Sequence, residues 1–299
     1  MTRTIIDSHI HLWPKETSNE DGHAWMTPGM PLAKPHLLSN YRQAARQERN
    51  SETNVTVEGV VYVETDVRYD TPNGSIMDWA KGPLDEIRFL RSVIEGHYAN
   101  EDSPMLLGLV PWAPMNQPTT VLEEYLDLAE QIAGIQTWKR VRGFRFLLQF
   151  IHHQAEFEQL VFGDAFIANL KLLGSRGFSF DIGVDQRSGG SWQLEAVGKA
   201  MKMAQQDVPE REQVIFVVNH LCKPNFSADE SDFDRWATAI QTLSALPKTY
   251  MKLSGAFSEL PSEINDTNDI VRHLRPWVKH VFQCFGTERV MYSSDWPVP

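Results

Sequence analysis

Short apolar, β-branched runs recur along the chain, and segments with apolar residues at helical spacing follow most of them. The runs are Thr4–Ser8, Val57–Glu64, Met105–Trp112, Val141–Leu148, Gly177–Gly183, Gln213–Asn219, Thr249–Ser254 and Arg289–Ser293. Between them Leu84, Ile87, Leu90 and Ile94 share one helical stripe, as do Phe166, Leu170 and Leu173, and Leu194, Val197, Met201 and Ala204. Thr120 with Glu123 has the spacing of a capping box ahead of Leu122, Leu126, Ala129 and Ile132. Ser231 with Asp234 repeats that spacing ahead of Phe233, Trp236, Ala237 and Ile240. Ile270, Leu274, Trp277, Val281 and Phe285 keep the period up to Gly286, a helix stop. Eight strands alternating with helices predict parallel βα units, an α/β chain of the (β/α)8 TIM-like barrel class. Only about seven helices accompany the strands. The pattern leaves no final helix after strand eight, so the native chain is expected to continue past Pro299.

One stretch breaks the alternation. Residues 13–38 carry Pro14, Pro28, Pro31 and Pro35 together with Gly22 and Gly29, which predicts a long loop after strand one. Loops of that length are often lids or binding loops. The remainder reads as a single domain over residues 1–299, since 42% hydrophobic content suffices for one large core. Lys and Arg number 28 against 39 Asp and Glu, a net charge of −11 with no basic cluster, which excludes a nucleic-acid partner. No apolar run reaches the roughly 18 residues of a membrane span, and none of signal-peptide length precedes His9 and His11. Cys222 and Cys284 are the only cysteines, better suited to reduced thiols in a cytoplasmic enzyme than to a disulfide framework. A small molecule is the expected partner, and the oligomeric state is left open.

The sharpest chemical motif is Asp7-Ser8-His9-Ile10-His11. Side chains alternate along a strand, so His9 and His11 point to one side at the C-terminal end of strand one, where barrel enzymes carry their sites. Two imidazoles so placed suit a divalent metal or paired acid–base work, though ordinary hydrogen-bonded histidines satisfy the same spacing. Strand eight ends in Asp295, and in a closed barrel it lies beside strand one. An ionised carboxylate there can take a proton from water; the competing reading is a turn cap before Pro297. Strand six runs into His220, with Lys223 and Pro224 following. Arg142 and Arg145 are three apart on strand four, so at most one is expected to face the barrel mouth, where it can bind substrate bidentately; the competing reading for either is a salt bridge to a helix. Glu64, Asp181, Lys252 and Ser254 lie in or at the ends of strands, and Trp13 and Trp112 can wall a pocket or pack in the core.

Taken in order, Ile6–Trp13, Gly143–Arg145, Asn219–Pro224, Lys252–Gly255 and Ser294–Pro297 resemble the amidohydrolase superfamily. The closer resemblance is to its branch of sugar-acid lactonases and 2-pyrone-dicarboxylate lactonases, and it spans nearly the whole chain. It implies a hydrolase of carbohydrate metabolism that opens an aldonolactone, such as a deoxy-sugar lactone, with water. Asp295 would be the general base. His9, His11 and His220 would activate water, polarise the carbonyl or hold a metal, and Arg145 and Lys223 would touch substrate. One divalent metal, Zn2+ first among candidates, would be held by His9, His11 and Asp295, with Glu64 as a further candidate ligand; metal-free catalysis within the branch stays open. Asn219, Cys222 and Asp181 depart from the branch pattern, and strand four has no bridging lysine, which speaks against a two-metal centre. The alternatives are a metal-dependent decarboxylase of a small aromatic acid and a barrel that binds a small ligand without catalysis.

Overall fold

The computed structural model describes residues 3–47, 55–226, 230–256 and 259–298. Eight strands form, one at each predicted run: β1 Arg3–Ile10, β2 Val55–Val63, β3 Leu106–Val110, β4 Gly143–Arg145, β5 Ser179–Ile182, β6 Ile215–Val218, β7 Thr249–Leu253 and β8 Val290–Tyr292. The helices are α1 Leu38–Gln47, α2 Ile76–Trp79, α3 Lys81–Ile94, α4 Asp102–Met105, α5 Thr119–Trp138, α6 Gln154–Val161, α7 Asp164–Ser175, α8 Gln186–Gly189, α9 Ser191–Gln205, α10 Glu230–Ser244 and α11 Thr267–Phe285. Helices separate successive strands, and the strand pairs register in parallel, the (β/α)8 class. Among the described residues no helix follows β8.

The chain divides into two compact units. Among the described residues, the first comprises 3–47, 55–114, 120–145 and 293–298. Its sheet runs β1-β2-β3, with Asp7 opposite Val60 and Val63 opposite Val110. Bridges from Leu109 to Val141 and from Trp112 to Arg145 set β4 beside β3, and one from Ile10 to Trp296 sets the segment after β8 beside β1. Leu84, Ile87, Leu90 and Ile94 of α3 are buried as their spacing predicts. So are Leu122, Leu126 and Ala129 of α5, whose stripe breaks near Gly134 (φ 68).

Among the described residues, the second unit comprises 115–119, 146–226, 230–256 and 259–292. Its strands run β5-β6-β7-β8, with Phe180 opposite Phe216, Val218 opposite Met251 and Leu253 opposite Tyr292. The stripes of α7 and α9 are buried, as is that of α11 from Leu274 onward, with Ile270 half-buried, and Gly286 (φ 66) ends α11.

Two caps differ from expectation. Helix α5 begins at Thr119, so Thr120 lies inside its first turn, and α10 begins at Glu230, one residue before Ser231. The side chain of Ser231 lies outside the described residues. A cap that the spacing does not flag is Asp266, whose carboxylate accepts from the Asn268 and Asp269 amides at the start of α11. Among the described residues no helix is long and apolar enough to cross a membrane. Cys222 and Cys284 are free thiols, and burial pushes the Cys222 thiol up, leaving it protonated.

Candidate functional site

The last four residues of β1 are all buried, so both of its faces are covered where the histidine motif begins. His9 and His11 share one side, with their Nε2 atoms 3.1 Å apart. Asp295 reaches the same point from the other end of the chain. Its amide donates to the His9 carbonyl at 3.0 Å, and the His11 amide donates to the Trp296 carbonyl at 2.7 Å, so residues 293–298 lie against β1 through backbone bonds. Asp295 Oδ1 lies 3.5 Å from His9 Nε2 and 3.3 Å from His11 Nε2. All three side chains are buried. Asp295 has φ 64, the left-handed region that a residue with a Cβ disfavours and that clusters at functional sites.

Those three atoms form a triangle with sides of 3.1, 3.3 and 3.5 Å. Tetrahedral zinc with bonds of about 2.0–2.1 Å separates its ligand atoms by about 3.3 Å. The donor set therefore fits one divalent ion with a position left open. Proton placement agrees. His11 Nδ1 lies 2.9 Å from the Val63 carbonyl, an oxygen that can only accept, so Nδ1 carries the hydrogen and Nε2 presents a lone pair.

Asp7 fixes the arrangement. Fully buried, its carboxylate accepts from the His9 amide at 3.3 Å, the Tyr41 hydroxyl at 2.9 Å and the Ser294 amide at 2.9 Å. It thereby ties β1 to α1 and to the peptide just before Asp295.

Glu64 is placed differently from a ligand. Its Oε1 is ion-paired with Arg145 Nε, Oε2 accepts from the Asp66 amide at 2.6 Å, and Arg145 Nη2 donates to the Glu64 carbonyl at 2.7 Å. Both carboxylate oxygens are engaged, so metal ligation by Glu64 would require breaking a buried ion pair. The site beside β1 is thus a three-donor set. Asp66 (φ 56) adjoins this pair, and burial, reinforced by the Glu64 charge and eased by Arg145, raises its carboxyl to about 6. Arg142 is a correction: β4 begins at Gly143, so Arg142 lies before the strand's N-terminal end, exposed, with Nη1 donating to the Lys139 carbonyl at 2.8 Å. The strand end belongs to Arg145, which is buried.

Trp13 lies in the long loop, which folds back through a Trp13–His36 bridge. Its indole donates to the Lys34 carbonyl at 2.7 Å, and its ring packs against His23, Trp25 and His36. It also walls a cavity of about 390 Å3 with Thr65, Tyr69, Trp79, Glu86 and Phe89; His9, His11 and Asp295 do not line it. Trp112 packs against Tyr69, Trp79 and Tyr125 in the core and is absent from that wall.

In the second unit β6 ends in a left-handed turn, with φ of 54, 54, 65 and 45 at His220, Leu221, Cys222 and Lys223. Each non-glycine residue held this way costs on the order of 1 kcal/mol. His220 Nδ1 lies 2.8 Å from Ser254 Oγ, and a Cβ on Gly255 (φ 66) would come 2.9 Å from the His220 Cβ, which explains the Ser-Gly pair after β7. Lys223 Nζ lies 3.7 Å from Glu259. Asp181 and Lys252, on β5 and β7, form a buried ion pair at 2.6 Å. Asn219 is 1% exposed, and neither atom of its amide has a hydrogen-bond partner among the described residues.

The residues that sequence reasoning passed over share one property: their partners are distant in the chain. Asp7 meets Tyr41 across 34 positions and Ser294 across 287. Glu86 meets Thr65 across 21 positions, and His23 meets it across 42.

The chain is 31% identical to an L-rhamnono-gamma-lactonase of Scheffersomyces stipitis, over 98% of this chain and 85% of the relative. It is 24% identical to an L-fucono-1,5-lactonase of Burkholderia multivorans, over 98% of this chain and 82% of the relative. A crystal structure of an amidohydrolase from Burkholderia multivorans with bound zinc superposes with a TM-score of 0.70 at 23% identity, covering all of this chain and 85% of that one. A candidate 2-pyrone-4,6-dicarboxylic acid hydrolase from Pseudomonas putida superposes with a TM-score of 0.59 at 16% identity, covering all of this chain and 84% of that one. Residues 6–299 match the amidohydrolase sequence profile, and the chain belongs to the amidohydrolase family.

Proposed function

We propose that this chain is a lactonase that opens a sugar-acid lactone with water, using Asp295 as general base beside His9 and His11. The observation that carries the reading is the triangle of donor atoms at the C-terminal end of β1, with sides of 3.1, 3.3 and 3.5 Å. The two lactonase relatives, each matched over 98% of the chain, support aldonolactones as the substrate class.

Asp295 turns Oδ1 to the two imidazoles, and its other oxygen takes a proton from the attacking water. The water oxygen bonds to the carbonyl carbon, whose π electrons move onto the carbonyl oxygen. Collapse of that oxyanion breaks the ring C–O bond, and the proton held by Asp295 passes to the departing ring oxygen. The product is an open hydroxy acid, one water heavier than the lactone. His9 and His11 hold Asp295 in place through their backbones, the His9 carbonyl accepting from the Asp295 amide and the His11 amide donating to the Trp296 carbonyl. A divalent ion held by His9, His11 and Asp295, zinc by the fit of the edge lengths, would supply a more acidic water and polarise the carbonyl. His220, with Nδ1 2.8 Å from Ser254 Oγ, and Lys223 belong to the second unit, and their roles toward substrate are those the family resemblance implies. The buried Arg145 holds Glu64 and the end of β2.

Asp295→Asn tests the reading against a panel that includes L-rhamnono-γ-lactone and L-fucono-1,5-lactone. Loss of a general base lowers kcat by about 10²–10⁴. A folded Asn variant with wild-type turnover would remove Asp295 from the chemistry. Metal analysis of protein purified without chelator tests the donor set separately: about one zinc per chain is expected, falling in a His9→Asn, His11→Asn double variant.

A further inference from the structure

The loop after β1, the segment after β2 and the start of α3 enclose the cavity of about 390 Å3 already described, and every residue of its wall belongs to the first unit. Backbone bonds fix its frame. The Arg68 amide donates to the Gly22 carbonyl at 2.8 Å, and the Asp70 amide donates to the Trp79 carbonyl at 2.8 Å. The volume lies in the range of small-molecule sites. Trp13, Trp79 and Phe89 line it and are buried, and the more exposed Tyr69 joins them.

Glu86 is the one buried carboxylate on that wall. The Thr65 amide and hydroxyl face its Oε1, while Oε2 has no hydrogen-bond partner among the described residues. The Tyr62 hydroxyl beside the carboxylate stays outside hydrogen-bond distance of it. A buried carboxylate left partly unsatisfied carries a cost that a ligand's N–H groups can offset.

The rest of the wall decides which ligand. Glu16, Asp21, Asp70 and Asp78 are exposed on it, and Lys81 is ion-paired with Asp85, which leaves Arg68 alone against four carboxylates. That surplus repels an anion. A sugar needs several donors and acceptors, but Thr65 and Glu86 are the only buried polar residues on the wall. Aromatic faces attract a cation within about 6 Å of the ring. An ammonium group on an apolar body uses the rings, the carboxylate and the acidic surplus together.

We propose that this cavity binds a small organic ammonium ion, a primary amine on an aryl or alkyl body, with Glu86 as its counter-charge and Trp13 and Trp79 among its walls. His9, His11 and Asp295 take no part in that wall, so the proposal does not depend on the lactonase reading.

Titration calorimetry with three probes of one shape tests it: 2-phenylethylammonium, 2-phenylethanol and 3-phenylpropanoate. Burial raises the Glu86 carboxyl to about 7, so the titrations are run at pH 8, where the counter-charge is present. The ammonium should bind about 10- to 100-fold more tightly than the alcohol, the worth of a hydrogen bond to a charged group, and the anion should bind most weakly. Glu86→Gln keeps the shape and removes the charge; in it the ammonium should fall to the affinity of the alcohol, and the alcohol should not change. In crystals soaked with 2-(4-bromophenyl)ethylammonium, anomalous scattering should place the bromine in this cavity. Equal affinity for ammonium and alcohol, undiminished ammonium affinity in Glu86→Gln, no saturation by any probe, or a bromine bound only elsewhere would each overturn the proposal. If Glu86→Gln does not fold, the ranking of the three probes on wild type and the bromine position decide it.

Discussion

Glu86 is a buried carboxylate outside the proposed chemistry, and its surroundings predict an unusual pH dependence. It is 6% exposed, and its Oε1 faces the Thr65 amide at 3.1 Å and the Thr65 hydroxyl at 2.9 Å. That hydroxyl also lies 2.8 Å from His23 Nε2, while His23 Nδ1 lies 2.7 Å from the Thr17 carbonyl. The carbonyl can only accept, so Nδ1 carries the hydrogen, and in a neutral His23 the Nε2 lone pair can take the Thr65 hydroxyl proton. The Thr65 hydroxyl has one proton, for which Glu86 Oε1 and His23 Nε2 are competing acceptors. Burial favours the neutral form of both groups. It raises Glu86 from 4.5 to about 7, helped by the Glu64 charge and opposed by Tyr62 and Thr65, and it lowers His23 from 6.5 to about 4.

The signs oppose each other. The folded chain holds the Glu86 proton more tightly than the unfolded chain, so this group's contribution is fully present below pH 4.5 and is lost as pH rises through about 7. At 1.36 kcal/mol per unit, the ionised form costs about 3 kcal/mol. For His23 the contribution is present above 6.5 and lost as pH falls through about 4. Glu86→Gln keeps the acceptor for Thr65 and removes the charge. By urea denaturation at pH 5, 6.5 and 8, the variant should match wild type at pH 5 and exceed it by up to about 3 kcal/mol at pH 8. His23→Gln should instead flatten the acid limb. A Glu86→Gln variant whose stability falls between pH 5 and 8 as steeply as wild type would refute this reasoning.

Two further perturbations follow from the site. Asp7→Ala leaves the His9 amide, the Tyr41 hydroxyl and the Ser294 amide without their acceptor, and at about 1–3 kcal/mol for each buried group calorimetry should show a loss of several kcal/mol; Tyr41→Phe, losing one bond, should cost about 1 kcal/mol. Arg145→Met strands the Glu64 carboxylate and should destabilise by about 3–5 kcal/mol, with Glu64→Gln in the same chain restoring much of it; a double variant no better than the single would mean that charge burial is not the cause.

The strands and the histidine pair were legible because their signals are local. Period-two runs mark the strands, and His9 and His11 share a side by alternation alone. Position within a strand was less legible. Arg142 and Arg145 look equivalent until β4 is seen to begin at Gly143, which sends one to the exposed end and the other into a buried ion pair. Glu64 is a ligand candidate only through the family resemblance, and its partner in the structure is Arg145, 81 positions away. Glu86 lies beside Ile87 on an amphipathic helix and reads as a solvated polar residue, since its partners belong to β2's end and the long loop. Spacing shows which side chains share an element's face; it does not show which distant group completes a polar pair.

That distinction bears on how Asp295 is held. Its left-handed φ of 64 is unfavourable by itself, so surrounding bonds must fix the peptide on either side. On one side the Asp7 carboxylate accepts from the Ser294 amide; on the other the His11 amide donates to the Trp296 carbonyl, and Asp295's own amide donates to His9. The first of these comes from the residue that opens the Asp-x-His-x-His motif, and the next two come from the histidines themselves. The five-residue motif at the end of β1 therefore does two jobs. It presents imidazoles with its side chains, and with Asp7 and its backbone it holds the strained carboxylate that those imidazoles face. Moving Asp7 by one residue would turn it to the opposite side of the strand and lose its hold on Ser294, while both imidazoles stayed in place. A site drawn only from His9, His11 and Asp295 would miss the group that sets their spacing.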